Sequence, residues 1–187
     1  MKIVCFPESG VPLELRRQQV ALQDRAWPAD EPSSPAPWHD PALQAFSMLL
    51  LVDDRVVAAL DVLTKVIEPG GHRLVVSGFS AVVTDAALQG RGYGRIVEAG
   101  RELMRARGDD LGIFTCDRDL QRFYEGAGWQ LLAGTVLIGG APEDPFPSDV
   151  LGKVTLGSFF SAAGRAAADH IVGHRVELYP GSIDRLW

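Results

Sequence analysis

Between Phe46 and Asp85 the chain runs through three long apolar stretches that leave little choice but neighbouring strands. "FSMLLLVDDRVVAALDVLTKV" is two apolar runs around Asp53-Asp54-Arg55, the pattern of a β-hairpin. "EPGGHR" supplies the next turn, and "LVVSGFSAVVTD" the next strand. Such a sheet must cover its apolar faces with other elements, and the flanking sequence offers them. "KIVCF" reads as a short strand. "VPLELRRQQVALQDRAWP" reads as a helix with Pro12 in its first turn and Leu13, Val20 and Trp27 recurring every seven positions. Pro28 ends it. "PADEPSSPAPWHDP" then holds five of the twelve prolines, a stiffened loop of the length that usually binds something.

The segment after Asp85 continues the alternation. A helix follows Gly94, with Ile96, Val97, Leu103 and Met104 on one side and Arg95, Glu98, Arg101, Glu102 and Arg105 on the other. "LGIFTC" reads as a strand covered on both faces. "DRDLQRFYEGAG" reads as a short helix with Asp117 as N-cap and Gly126 and Gly128 at its stop. "WQLLAGTVLIGG" reads as one further strand. In the tail, "GSFFSAAGRAAADHIVG" looks helical, though Gly164 weakens it, and "VTL" and "HRVELY" are strand candidates. The expectation is a single α/β (α+β) domain spanning 1–187, with a central mixed, mostly antiparallel twisted sheet flanked by helices.

Composition sets outer bounds. The 187 residues are ample for one core, and a formal net charge of −6 disfavours nucleic acid and membrane surfaces as partners. Two cysteines, Cys5 and Cys116, imply no disulfide framework. "MKIVCF" is too short for a signal peptide and no apolar run reaches the ~20 residues of a membrane span, so a cytoplasmic protein is expected.

The most informative stretch is "LQGRGYGRIVEA", residues 88–99, with glycines at 90, 92 and 94 at the mouth of a helix. A helix N-terminus offers unpaired N–H groups and the positive end of a dipole, and glycines let an anion approach them. On the residues alone, a phosphate-binding turn and a plain flexible turn both stay open. The dinucleotide fingerprint and a Walker lysine are both absent.

The pattern Gln89-x-x-Gly92-x-Gly94 after "AVVTD" resembles the pyrophosphate loop of the GNAT acetyltransferases, and "RFYEGAGW" (122–129) is similar to that family's second signature. The resemblance covers roughly residues 2–140, with 141–187 as a C-terminal extension. It implies the GNAT fold and acetyl-CoA as co-substrate. The pantetheine arm would pair with Val82, Val83 and Thr84, whose amides would also polarise the thioester carbonyl. The pyrophosphate would meet N–H groups of Gln89, Gly90, Arg91, Gly92, Tyr93, Gly94 and Arg95. Backbone groups of Thr115 and Cys116 would touch the cofactor, and Tyr124 matches the tyrosine that protonates the departing sulfur. Its other reading is a packing aromatic beside Phe123.

Within the family the chain is most similar to the aminoglycoside 2'-N-acetyltransferases, through "PWHDPALQAF", "LVVSGFSAVVTD" and "VELYPGSIDRLW". That resemblance places Trp38, Asp40, Ser80 and Trp187 on the substrate side. It also shows a departure: Ser80 stands where those enzymes carry a glutamate that acts in amine deprotonation. Asp30, Glu31, Asp40, Asp61, Asp184 and the terminus are the acids available for a cationic acceptor. Asp61, in the apolar "AALDVL", is expected at a solvent-facing position. Trp27 reads as a core anchor. His170 and His174 would align on a helix, but no third ligand is evident and no metal is expected. Phe159, Phe160 and Ile171 are candidates for a homodimer contact. The reading is an acetyltransferase acting on a small-molecule amine. The alternative is a non-catalytic acyl-CoA-binding sensor, motivated by Ser80.

Overall fold

The computed structural model describes residues 1–31, 33–179 and 186. Seven strands form one mixed sheet in the order β1 (Lys2–Pro7), β2 (Phe46–Val52), β3 (Arg55–Ile67), β4 (Leu74–Thr84), β5 (Leu111–Cys116), β9 (Val154–Phe159), β6 (Gln130–Leu131). All neighbours are antiparallel except β4 and β5. The hairpin turn closes between Val52 and Arg55, with Asp53 and Asp54 both at positive φ, the conformation a tight two-residue turn requires. A second sheet joins β7 (Val136–Ala141) to β8 (Asp144–Pro147) and β10 (Arg175–Glu177).

Helix α1 (Leu13–Ala26) packs mainly on β3 and β4, and α2 (Arg95–Arg107) contacts β3 and β2. Ile96, Val97, Gly100 and Met104 form the buried stripe of α2, which Gly108 closes in the left-handed conformation. The short helices are α3 (Gln121–Gly126) and α4 (Ala162–Ala166). An aromatic knot joins sheet to α3: Phe114 lies 5.0 Å from Phe79, 4.9 Å from Tyr124 and 4.7 Å from Trp129, ring centre to ring centre. Gly100 and Gly112 make room for it, since a Cβ would sit 2.6 Å from Phe79 and 2.7 Å from Trp129.

Four local expectations change. "WQLLAGTVLIGG" is two strands in two different sheets, parted by Gly134 at positive φ. The start of the alanine-rich tail is strand, because Val154–Phe159 inserts between β5 and β6; residues of the expected extension thus supply an interior strand of the main sheet. Asp117 makes no side-chain cap; its carboxylate lies 3.3 Å from Lys153, and α3 is entered through a 3-10 turn, Arg118–Leu120. Finally, the face of α1 turned to the sheet buries Arg16, Gln19, Val20 and Leu22, while Leu13 and Trp27 are more than half exposed. The seven-residue recurrence does not mark the seam.

Candidate functional site

Strand β4 does the positioning. It pairs with β5 only at Val76 and Ser77, after which the two strands diverge and β5 continues with β9. Among the described residues no strand pairs with the β5-facing edge of Val82–Thr84, and backbone polar groups need partners. Against β3, one residue between Ala59 and Asp61 faces two between Ser80 and Val83, so β4 carries a bulge at Ala81–Val82. Ala81 is at φ 49°, a strained value for a residue with a Cβ. A bulge re-aims neighbouring groups, and here its two residues line different cavities, Ala81 one and Val82 the other.

The first cavity, about 730 Å³, lies between the end of β4, the turn before α2 and α3. Its wall runs from Val82, Val83 and Thr84 through Gln89, Gly90, Gly92, Tyr93, Gly94 and Arg95 to Phe123 and Tyr124. Glu98 sits on the same wall as Arg95. None of the backbone N–H groups from Gln89 to Gly94 has an acceptor among the described residues. The turn thus holds a row of free donors ahead of a 13-residue helix, an anion-binding arrangement. The three glycines differ in role. Gly90 and Gly92 are at φ 77° and 78° with open space around the missing Cβ. Gly94 is at ordinary φ, and a Cβ there would press within 2.4 Å of Phe123. Two glycines shape the turn and the third lets α3 pack on α2.

Tyr124 is buried, on this wall and in the aromatic knot. Burial raises its pKa above the ordinary phenol value, and the nearby Cys116 and Asp117 push the same way. The hydroxyl therefore holds its proton at neutral pH. Thr115 and Cys116 lie at the end of β5 opposite Thr155 and Val154, outside this wall. Burial lifts the Cys116 thiol to about 11, with Asp117 adding to the rise, so it is a poor nucleophile. Arg91 is exposed and also outside the wall.

The second cavity, about 520 Å³, opens on the α1 side of the bulge. Ala81 forms its floor; Val20, Gln23, Asp24 and Trp27 of α1 and its C-terminus form one side, and the loop from Ser33 to Trp38 the other. Trp38 lines this cavity. Asp40 instead caps the 3-10 turn Pro41–Leu43, accepting from the Ala42 N–H at 2.8 Å. Ser80 is buried on β4 opposite Asp61. Trp187 and Asp184 lie outside the described residues.

A buried polar chain pins the loop that walls this cavity. Arg16 meets Glu8 at 2.7 Å and donates to the Ala36 carbonyl and the Gln19 amide oxygen. Glu8 accepts from the backbone N–H groups of Trp38 and His39. Gln19 donates to Asp61, and the Asp61 carboxylate lies 3.3 Å from His39 Nε2. The Asp61 and His39 side chains are both fully excluded from solvent. Asp61 is thus an interior, paired carboxylate and not the solvent-facing one expected. No sequence signal on one segment marks this chain, because its five members come from four separate elements.

Elsewhere, His170 ends a 3-10 turn, Ala168–His170, and His174 lies beyond it, so the two are not aligned on one helix. Among the described residues no group of three or more His, Cys, Asp or Glu side chains is placed to hold a metal. No described helix is long and apolar enough to cross a membrane. Ile171 is fully buried within the chain, which removes it from the surface proposed for a dimer contact.

No family model matches the chain, and no curated protein matches it by sequence. Solved structures do match by shape. An aminoglycoside 6'-N-acetyltransferase complexed with coenzyme A superposes with a TM-score of 0.61 at 14% identity, over 86% of this chain and 98% of that one. The Escherichia coli protein ElaA gives 0.58 at 15% identity, over 83% and 97%. An acyl-CoA N-acyltransferase from Pseudomonas aeruginosa gives 0.57 at 14% identity, over 83% and 97%.

Proposed function

We propose that this chain, which has the GNAT fold, a mostly antiparallel sheet flanked by helices and split between its two parallel strands, is an N-acetyltransferase that moves an acetyl group from acetyl-CoA directly to an amine of a small molecule. The observation that carries the reading is that adjacent residues of the β4 bulge line two cavities, Val82 one beside free backbone amides at a helix mouth, Ala81 the other beside side chains of α1 and its following loop. A transferase needs donor and acceptor delivered to one point from two sides.

In this reading the amides from Gln89 to Arg95 hold the coenzyme's pyrophosphate, and the edge of Val82–Thr84 takes the pantetheine arm as an added strand. The amine nitrogen, as free base, attacks the thioester carbon near Ala81–Val82. The C–N bond forms, the C–S bond breaks, and the nitrogen gives up one proton to solvent. Tyr124, protonated at neutral pH, gives its proton to the leaving sulfur and takes one back from solvent. An aminoglycoside-like acceptor is what the loop and tail resemblance implies.

Release of free thiol from acetyl-CoA in the presence of a panel of amines tests the proposal. Amine-dependent release supports it. Coenzyme binding with no release on any amine favours the sensor alternative.

A further inference from the structure

The chemistry of the second cavity narrows the acceptor. A polycation such as an aminoglycoside needs several carboxylates around it. Among the described residues the wall of this cavity offers one, Asp24, which also accepts from the Ser33 hydroxyl at 2.6 Å and the Ser33 N–H at 3.2 Å. Of the other acids counted in the sequence, the four among the described residues do not supply the deficit, and Asp184 and the terminus lie outside those residues. Asp61 is sealed beneath the loop, Asp40 caps a turn, and Asp30 and Glu31 are exposed and outside the wall.

What the wall does present is aromatic and apolar. Trp27 and Trp38 each leave about half their surface uncovered, 52% and 46%, and Val20, Ala36, Pro37 and Ala81 fill between them. Two half-bare indoles on one concavity leave apolar surface in water that an occupant would cover. Besides Asp24, Ser33 and Ser34, the wall includes Gln23, whose Nε2 is buried and has no hydrogen-bond partner among the described residues. An unsatisfied buried donor calls for an acceptor from a ligand.

We infer that the acceptor is a monoamine on a flat aromatic or apolar body, with one neutral oxygen acceptor for Gln23, and not a polycation. The inference rests on the acetyltransferase reading. The Trp27 and Trp38 rings hold the body, Gln23 donates to its oxygen, and the amine reaches the bulge at Ala81. The cavity's volume of about 520 Å³ lies in the range that houses small molecules.

The test is initial-rate kinetics at saturating acetyl-CoA with 4-methoxyphenethylamine, spermidine and kanamycin, on the wild type and on Trp27→Ala, Trp38→Ala and Gln23→Leu. The expected result is a kcat/KM at least tenfold higher for the aryl monoamine than for either polycation. Each tryptophan variant should raise its KM at least fivefold, with the dissociation constant for acetyl-CoA unchanged by calorimetry. Trp27→Phe, which keeps an aromatic face, should restore most of the loss. Gln23→Leu should weaken the methoxy amine more than plain phenethylamine. Preference for kanamycin or spermidine, or a KM indifferent to both tryptophan variants, overturns the inference while leaving the acetyltransferase reading intact. Bound acetyl-CoA with no turnover of any amine overturns both.

Discussion

The two sides of the β4 bulge are built from different materials. The proposed donor side is mostly backbone: amides from Gln89 to Gly94, the edge of Val82–Thr84 that no described strand pairs, and glycines at positive φ. The proposed acceptor side is mostly side chain: two tryptophans, a glutamine and an aspartate, on a helix end and a proline-rich loop. Backbone recognition of a diphosphate is generic, so one local turn suffices. Recognition of a particular amine needs side chains brought from separate segments and then fixed, and the buried chain from Glu8 to His39 does the fixing.

The largest expected effect falls on that fixing. Asp61→Ala removes the partner of both Gln19 and His39 in a solvent-free site, and should cost about 3–5 kcal/mol of stability. Thermal or urea unfolding measures it. At a temperature where the variant stays folded, its acceptor KM should rise while acetyl-CoA affinity holds. An equal loss on both sides would erase the contrast.

Tyr124→Phe should lower kcat by about 10²–10⁴, the usual worth of a positioned proton donor, with acetyl-CoA affinity unchanged. The pH dependence follows from the direction of the shift. Because burial raises the phenol above its ordinary value of 10.0, the wild-type kcat should show no basic loss centred below that pH. Such a loss in the wild type, absent from the phenylalanine variant, would mean that Tyr124 ionises early.

Next in size is Gly92→Val. A branched side chain at φ 78° is strained and crowds the amide row, so acetyl-CoA should bind at least tenfold more weakly, about 1.4 kcal/mol or more. Gly94→Ala acts differently: its Cβ strikes Phe123, so it should loosen α3 and lower thermal stability before it changes phosphate binding. Smallest is Asp40→Ala, which loses one turn cap worth about 1 kcal/mol.

How far each side could be read from sequence follows from the same difference. The donor turn is contiguous, so Gln89, Gly92 and Gly94 announce it within six residues, and the parting of β4 from β5 follows once the fold is named. The hairpin, α2 and β5 were equally legible, because apolar periodicity there matches burial. On the acceptor side, periodicity misleads. Helix α1 buries Arg16 and Gln19 and exposes Leu13 and Trp27, because its inner face serves a polar chain. Asp61 could not be assigned without knowing that α1 and the loop bring Gln19 and His39 to it. Trp27 and Gln23 gave no signal of their own; only the cavity joins them to Trp38. The strand at Val154–Phe159 was obscured because three residues of its sequence run into a small-residue stretch that reads as helix.

A crystal structure with coenzyme A bound tests the central claim most directly. The account predicts the pyrophosphate against the amides from Gln89 to Arg95, the pantetheine alongside Val82–Thr84, and the sulfur at the bulge, near Tyr124 and open to the cavity of Trp27 and Trp38. A coenzyme bound elsewhere, or one whose sulfur end is walled off from that cavity, would contradict it.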